Sequence, residues 1–467
     1  MTTPPTTARE IATAVTNGDI SAVEVTRRAL DLIAEKDAHI GAFTEVTAKR
    51  ALVEAEAVDK RRRNGEPLGP LAGVPFGVKN LYDVEGIPTL AGSKINRAHP
   101  PATADAVLIQ RMTAAGAVLL GALNMGEYAY DFTGENAHYG PARNPLDPTR
   151  MSGGSAAAVA AGFVPVSLGS DTNGSIRVPS AFCGLYGLKP TYGRLPRTGS
   201  FPFCESLDHL GPFARAAGDL ALCYDAVQGT DDRDPVCAKR PVALTVPELA
   251  KGADGLRIAV AGGYFRKDAE PDALAAVDRA AEALGTSRVI DIPDSARARA
   301  SAFLITNAES SAFHLDRLRR QAEDFDPDTR DRFLAGALLP ASWYIAAQRF
   351  RRQFEEAMHK VFEECDVLLA PSTPMSAPLL GQKTMMLGGR EVPLRANIGI
   401  FTQPISFIGL PVAAVPVRHA GRMPYGVQVI SKPWREDLCL RVASVLEAAR
   451  LAPTQEKAVG LAWCAAH

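Results

Sequence analysis

Hydrophobic residues near the start of the chain recur at the spacing of an α-helix. Residues 21–24, with the sequence SAVE, match a capping box immediately before them. Residues 45–66, with the sequence EVTAKRALVEAEAVDKRRRNGE, predict another helix. We therefore expect N-terminal helices over residues 1–65. The recurring positions of the earlier helix are Ala22, Val25, Ala29, Leu32 and Ile33.

The pattern changes from Pro67 onward to short apolar runs that contain glycine, which is typical of buried strands. Residues 70–80 and 117–127 are two such runs, and residues 103–116 between them have the pattern of a helix that ends at a glycine. The order strand, helix, strand predicts an α/β sheet. Further strand-like runs occupy residues 163–171 and 255–265.

Strand-like segments lie on both sides of a helical, charged block. The block covers residues 266–365 and is interrupted at Pro340, and apolar strands return at 367–375 and 409–417. One large sheet with a helical insertion explains this order better than separate domains. We predict a single domain over 1–467, with N-terminal helices (1–65), a core (66–225), the helical insertion (about 266–365) and a C-terminal return to the sheet (366–467).

Composition narrows the class of protein. The chain has 51 Lys and Arg against 52 Asp and Glu, so its net charge of −1 does not favour nucleic acid or an anionic membrane as a partner. Its seven cysteines include no C-x-x-C pair, which argues against a disulfide framework or a zinc site. The sequence shows no signal peptide and no run of 18 uncharged apolar residues. We expect a cytoplasmic protein.

A tight polar turn follows the strand predicted at 163–171. The turn Asp171–Ser175 can direct successive backbone N–H groups at one point, as a developing oxyanion requires. Ser175 directly follows Gly174, so little side chain would block an approaching carbonyl. The alternative is an ordinary strand-to-helix turn with a helix-capping serine.

A serine nucleophile needs a base. The histidines offer no convincing partner, and the sequence lacks a G-x-S-x-G elbow. Lys79, however, ends an apolar run, and burial there would lower the pKa of its amine and leave it neutral. The alternative is a lysine that extends its ammonium group to solvent.

Residues 149–162, with the sequence TRMSGGSAAAVAAG, form a third unusual segment. A flexible linker is unlike it, because a helix-forming run of alanines follows at once. The pattern G-x-x-x-x-G-K-[ST] of a phosphate loop is absent. The remaining interpretation is a turn that places a serine hydroxyl between base and nucleophile, where it can relay a proton.

Taken in order, these motifs resemble the amidase signature family over about residues 20–450, least clearly in 265–365. The resemblance implies a mixed central β-sheet of many strands with helices on both faces. It also implies an amidohydrolase that acts on a small-molecule amide without a metal or organic cofactor. The motifs are GVPFGVKNLYDVEG, GALNMGEYAYDFTGEN, RNPLDPTR, the Gly/Ser loop before AAAVAAG, GSDTNGSIRVPSAFCGLYGLKPTYGR, SLDHLGPFAR, APSTPM, FTQPISFIGLPVAAVPV and MPYGVQVISKPW.

Carried onto this sequence, the resemblance implies a Ser–cis-Ser–Lys triad. Ser175 would be the acyl nucleophile and Lys79 the neutral base. A serine of the Gly/Ser loop, preceded by a cis peptide bond, would relay the proton between them. The backbone N–H groups of Thr172, Asn173, Gly174 and Ser175 would form the oxyanion hole.

The relay serine has two candidates, because the loop departs from the family pattern. The family has G-G-S-S-G-G-S, whereas this chain has only SGGS at 152–155, which is about four residues shorter. Ser155 follows the glycine pair that gives the turn its backbone freedom and is the preferred relay. Matching from the other side selects Ser152. Ser155 could otherwise serve as a helix N-cap.

Three further residues are candidates for substrate binding. Tyr130 could line the pocket, although an aromatic residue there could equally belong to the core. An anionic, urea-like substrate would need a cationic clamp, because arginine binds carboxylates in bidentate fashion. His314 and Arg317 are candidates for that clamp, with a solvated helix face as the alternative.

Two other functions remain open from the sequence. One is a glutaminase-type component of an aminoacyl-tRNA amidotransferase, and the other is a non-catalytic scaffold with a shortened relay loop. The resemblance also implies a small helical partner subunit, with assembly as a homodimer or a dimer of heterodimers.

Overall fold

The structure is a computed structural model that describes residues 5–418 and 421–451. The predicted C-terminal segment therefore lies partly outside the described residues, from 452 onward. Eleven strands form one sheet in the order β1-β3-β2-β6-β8-β7-β14-β15-β11-β9-β10, and two small hairpins, β4–β5 and β12–β13, accompany it.

The strands are β1 (Phe43–Val46), β2 (Pro75–Lys79), β3 (Val118–Leu123), β4 (Arg143–Asn144), β5 (Asp147–Met151), β6 (Val166–Asp171), β7 (Tyr186–Lys189), β8 (His209–Ala214), β9 (Ile258–Ala261), β10 (Val289–Ile290), β11 (Val367–Pro371), β12 (Thr384–Leu387), β13 (Arg390–Pro393), β14 (Val412–Val417) and β15 (Tyr425–Ser431).

The α-helices are α1 (Ala8–Asn17), α2 (Ala22–Ile40), α3 (Ala48–Arg63), α4 (Val107–Ala114), α5 (Gly154–Ala160), α6 (Arg177–Cys183), α7 (Ala217–Val227), α8 (Pro271–Ala283), α9 (Ser295–Gln321), α10 (Pro327–Ala337), α11 (Ala341–Glu364), α12 (Leu394–Asn397), α13 (Gln403–Phe407) and α14 (Glu436–Ala448).

The large sheet is mixed, as predicted. Strands β3, β2 and β6 run parallel to one another, as do β11, β9 and β10, and the remaining neighbours are antiparallel. Every residue of β2, β3 and β6 is buried, because helices flank the sheet. This burial explains why their sequences are continuously apolar rather than alternating. The α/β fold class is confirmed.

The helices begin and end largely where the sequence predicts. The side chain of Ser21 caps α2 by accepting a hydrogen bond from the Glu24 N–H at 3.0 Å, and Gly41 ends this helix in a left-handed conformation. The charged block forms four helices, α8 to α11, and Pro340 is the N-cap residue of α11. Strands from both sides of this block share the one sheet.

The expectation that residues 1–65 contain only helices is wrong. Phe43–Val46 form β1, which pairs antiparallel with β3 through an irregular register between Phe43 and Glu45. Four residues are too few to show a periodicity, and pairing with β3 is what makes this segment extended. Strands β7, β8 and β15 were likewise not predicted.

The sheet brings two chain ends of parallel strands together. β2 and β6 are hydrogen-bonded neighbours, with Val78 opposite Leu168. The carboxyl ends of parallel neighbours meet at one edge of a sheet, which is where open α/β sheets bind ligands. Lys79 ends β2 and Asp171 ends β6, one turn before Ser175.

None of the helices in residues 5–418 and 421–451 combines the length and apolar character that a bilayer crossing requires.

Candidate active site

Ser175 lies in a sharp turn between β6 and α6. Gly174 in this turn has φ +145°, and a Cβ atom there would lie 2.4 Å from Thr402 Oγ1. The same Thr402 hydroxyl donates a hydrogen bond to the carbonyl of Asn173 at 2.6 Å. Only glycine allows this close approach, so Thr402 packs directly against the turn.

The turn leaves several hydrogen-bond donors free. In the part of the chain that the structure describes, the backbone N–H groups of residues 172–175 donate no hydrogen bond to a protein atom. The next N–H group, that of Ile176, donates to Asp171 Oδ2 at 3.2 Å and marks the start of the capped helix. Unpaired N–H groups beside a candidate nucleophile are the donors that an oxyanion requires.

A buried ion pair holds the turn. Arg177 contacts Asp171 at 2.9 Å, and both side chains are completely buried. Burial alone would raise the pKa of the Asp171 carboxyl, but the guanidinium of Arg177 holds that pKa well below its usual range. Arg177 also donates to the Thr402 carbonyl at 3.0 Å and to Gln428 Oε1 at 2.7 Å. The predicted pairing of Asp171 with Arg177 is confirmed.

Lys79 is buried, as predicted, and its Nζ donates a hydrogen bond to Ser170 Oγ at 3.0 Å. Burial lowers the pKa of Lys79 to about 8. Three carboxylates act in the opposite direction, those of Asp171, Asp208 and Asp131. A substantial fraction of the amine is therefore neutral near pH 8, as a general base requires.

Two small cavities meet at Ser175. We call one the Lys79 cavity, lined by Lys79, Asn124, Gly154, Ser155, Ser175 and Phe213 among others. We call the other the Tyr130 cavity, lined by Tyr130, Thr172, Asn173, Ser175, Thr306 and Arg332 among others. Each has a volume of about 20 Å³, enough for about one water molecule. A substrate must therefore displace some of the lining side chains.

The Lys79 cavity brings Lys79, Ser155 and Ser175 together. The Ser155 hydroxyl donates to the Leu168 carbonyl at 3.3 Å. Ser155 lies within the first turn of α5, and Gly153 is the N-cap residue, so the alternative that Ser155 caps the helix is wrong.

The cis peptide bond implied by the family resemblance is absent. All peptide bonds among the described residues are trans. The reason is local: the shortened loop starts α5 at Gly154, so Ser155 already has helical backbone geometry. A Cβ atom at Gly154 would lie 2.2 Å from the Asn124 carbonyl, so the helix begins against that strand end.

Ser152, the alternative relay, lies elsewhere. Its side chain is buried, and its Oγ is 2.9 Å from Cys183 Sγ. Ser152 does not line either cavity. The structure therefore groups Ser155, and not Ser152, with Lys79 and Ser175.

Tyr130 lines the second cavity with Thr172 and Asn173, as expected for a pocket residue. The Tyr130 hydroxyl contacts Asn307 Oδ1, and the ring packs 4.9 Å from that of Phe203. Tyr130 thus belongs both to the pocket wall and to an aromatic cluster.

His314 and Arg317 do not reach either cavity, so their assignment as a substrate clamp is wrong. His314 is buried among aromatic rings, with the Tyr128 ring 4.1 Å away, and burial lowers its pKa to about 3. The Arg317 guanidinium lies 5.4 Å from the Phe201 ring. Both residues follow Asn307 on α9, and at 1.5 Å per residue they lie about 10 Å or more beyond the cavity wall.

Ser170 and Arg332 line or support the site without having been predicted. Ser170 sits one residue before the end of β6, and only the pairing of β2 with β6 places it beside Lys79. Arg332 lies within a charged helix, where nothing in the sequence distinguishes it from its neighbours. Among the described residues, no cluster of His, Cys, Asp or Glu could hold a metal ion.

Comparison with known proteins defines the class. The Amidase family model matches residues 24–440, so this chain belongs to the amidase family. It is 54% identical over 444 residues to the AtzE component of 1-carboxybiuret hydrolase from Pseudomonas sp. (strain ADP), covering 94% of this chain and 97% of that protein. The chain is an amidase-family hydrolase.

More distant relatives and solved structures agree. The chain is 37% identical to the GatA-type component of glutamyl-tRNA(Gln) amidotransferase from Chloroflexus aggregans, covering 93% of this chain and 94% of that protein. A solved structure described as a vestigial complex that reveals the origins of an s-triazine catabolic enzyme superimposes with a TM-score of 0.95 at 52% identity, covering 96% and 99% of the two chains. A bacterial aryl acylamidase superimposes with a TM-score of 0.89 at 26% identity, covering 97% and 98%.

We expect the change Arg177→Met to destabilise the protein by about 3–5 kcal/mol, because it leaves the Asp171 carboxylate buried without a partner. Urea unfolding followed by circular dichroism measures the effect. The control is Lys239→Gln: Lys239 and its partner Asp232 are each 82% exposed, so we expect a change below about 1 kcal/mol. Equal effects of the two changes would show that the buried pair does not hold the turn.

Proposed function

We propose that this protein hydrolyses a C–N bond of a small amide or urea-like substrate of the 1-carboxybiuret type, through an acyl-enzyme on Ser175. One observation carries the proposal: Lys79, Ser155 and Ser175 line the same cavity. The similarity to the AtzE component of 1-carboxybiuret hydrolase supports the choice of substrate.

Proton transfer begins at Ser175 in this mechanism. The Ser175 hydroxyl passes its proton to the Ser155 oxygen, and the Ser155 proton passes to the neutral amine of Lys79. Ser155 must first turn its hydroxyl away from the Leu168 carbonyl, a weak contact at 3.3 Å. The Ser170 hydroxyl, 3.0 Å from Lys79 Nζ, holds the amine at the cavity.

Bond making and breaking follow at the substrate carbonyl. Ser175 Oγ attacks the carbonyl carbon, and the N–H groups of Thr172, Asn173 and Gly174 stabilise the oxyanion that forms. The C–N bond then breaks, and the leaving nitrogen takes the proton back from Lys79 through Ser155. Water attacks the acyl-enzyme by the same route, which releases the acid and restores the Ser175 hydroxyl.

A second candidate function is glutamine hydrolysis, favoured by the 37% identity to a component of glutamyl-tRNA(Gln) amidotransferase. The same residues would release ammonia from glutamine. A third, the non-catalytic scaffold, rests on the shortened loop between residues 152 and 155. Measuring ammonia release from 1-carboxybiuret and from glutamine separates all three, because the scaffold releases ammonia from neither.

We expect Ser175→Ala to lower the rate of ammonia release by at least about 10⁴-fold, because it removes the nucleophile. It should also abolish labelling by a fluorophosphonate probe, read by mass spectrometry. The matched control is Ser180→Ala on the adjacent helix, whose buried hydroxyl makes no hydrogen bond. Full activity in the Ser175 variant would overturn the proposed nucleophile.

The same assay distinguishes the two relay serines. Ser155→Ala should lower the rate by about 10²-fold or more, because general-base transfer then has no bridging hydroxyl. Ser152→Ala should leave the rate close to that of the unmodified protein. A larger loss in the Ser152 variant would overturn the relay assignment.

We expect kcat/KM to rise with pH and to level off above an apparent pKa near 8. Lys79 acts as a base only when neutral, so activity falls about tenfold per pH unit below that pKa. Steady-state rates between pH 6 and 10 measure the profile. A profile that is flat from pH 6 to 8 would exclude Lys79 as the base.

We further propose that this chain binds a small helical partner and assembles into a dimer of heterodimers, with a homodimer of this chain as the alternative. The support is that a solved relative at 52% identity comes from a protein complex. Purification from the native host, followed by mass measurement, should yield a second, smaller chain in a fixed ratio. Recovery of this chain alone would exclude the partner. The cellular location stays a prediction.

A further inference from the structure

An arginine lies against the Tyr130 cavity. Arg332 on α10 stacks on the Tyr130 ring, with its guanidinium carbon 3.8 Å from the ring centroid. Its Nη1 donates to the Tyr130 carbonyl at 2.6 Å. The stack and this hydrogen bond orient the planar guanidinium at the cavity that also contains Ser175.

Arg332 has no carboxylate partner. Within residues 5–418 and 421–451, no acidic side chain forms an ion pair with it, whereas the nearby Arg395 contacts Glu135 and Asp328 at 3.2 Å each and Asp131 at 3.9 Å. Arg332 is nevertheless largely removed from water, and this burial lowers its pKa. A desolvated guanidinium without a counter-ion is unfavourable unless an anion binds it.

Asp131 also lines the Tyr130 cavity, so the wall is not uniformly positive. Its carboxylate, however, accepts a hydrogen bond from the Thr133 hydroxyl and faces Arg395 at 3.9 Å. The cation on Arg395 therefore offsets the charge of Asp131, and Arg332 remains without a compensating anion.

A polar acceptor on the same wall also lacks a partner. Asn173 Oδ1 is buried and makes no hydrogen bond. Its orientation is determined by the other end of the amide: Thr306 donates its hydroxyl proton to the Ala302 carbonyl, so its oxygen accepts from Asn173 Nδ2 at 2.8 Å. The free acceptor is thus a carbonyl oxygen, which an N–H group of a ligand would satisfy.

We propose that Arg332 binds a carboxylate of the substrate and that Asn173 Oδ1 accepts a hydrogen bond from a substrate N–H, so that the site selects amides or ureas that carry a carboxylate. This inference rests on the proposed function, because it assumes that Ser175 acts on the molecule bound in the Tyr130 cavity. It assigns to Arg332 the clamp expected at His314 or Arg317.

The test compares an anionic substrate with its neutral counterpart. The pair is 1-carboxybiuret and triuret, in which a carboxamide replaces the carboxylate. We expect Arg332→Gln to lower kcat/KM for 1-carboxybiuret about 100-fold, mainly through KM, and to change the value for triuret less than about threefold. Arg332→Lys should restore part of the loss, because it keeps the charge but not the bidentate geometry.

The matched control is Arg330→Gln on the same helix. Arg330 pairs with Asp331 at 3.0 Å and lines neither cavity, so the discrimination between the two substrates should not change. Equal losses for both substrates in Arg332→Gln would mean that Arg332 only supports the fold, and would overturn the proposal.

A binding experiment separates this proposal from the proposed function. In the Ser175→Ala background, N-carbamoylglycine should raise the melting temperature and its neutral amide should not, and Arg332→Gln should remove that difference. If no substrate is hydrolysed but this difference persists, the hydrolase proposal fails and the carboxylate site stands. If the acid and the amide stabilise the protein equally, the carboxylate site is overturned.

Discussion

The buried ion pair between Asp171 and Arg177 is the contact on which the site depends. It spans the turn that carries Ser175, from the last residue of β6 to the first residue of α6. Removing two charges from water is unfavourable unless further hydrogen bonds compensate, and here they come from distant chain segments. Arg177 reaches the Thr402 carbonyl and Gln428, so the last part of the chain determines the shape of a turn near its middle.

The electrostatics of Lys79 show a similar balance. Burial lowers its pKa, while Asp171, Asp208 and Asp131 raise it, and the outcome is a pKa of about 8. With less burial the amine would stay charged, and without the carboxylates its pKa would lie lower still. The two cavities at Ser175 then have different chemistry: one contains the amine and the hydroxyls, and the other contains Arg332 and Asn173.

The relay loop shows how a local deletion changes a site without dissolving it. With only SGGS between β5 and the alanines, α5 starts at Gly154, and Ser155 is drawn into its first turn with a trans peptide bond. Ser155 still lines the cavity, because Gly154 packs against the Asn124 carbonyl and keeps the helix start beside Lys79. The family resemblance predicted the residue but not the backbone that carries it.

The sequence alone determined the features that depend on neighbouring residues: the apolar strands β2, β3 and β6, the glycine turn before Ser175, and the lysine that ends a buried strand. It also determined the family, through an ordered series of motifs. Only the tertiary structure decided which residues meet across the sheet and along the helices. Ser170 contacts Lys79 because β2 pairs with β6, and Arg332 reaches the cavity while His314 does not, because the position along a helix axis depends on how that helix packs. Such contacts join residues far apart in the chain, so no local pattern records them.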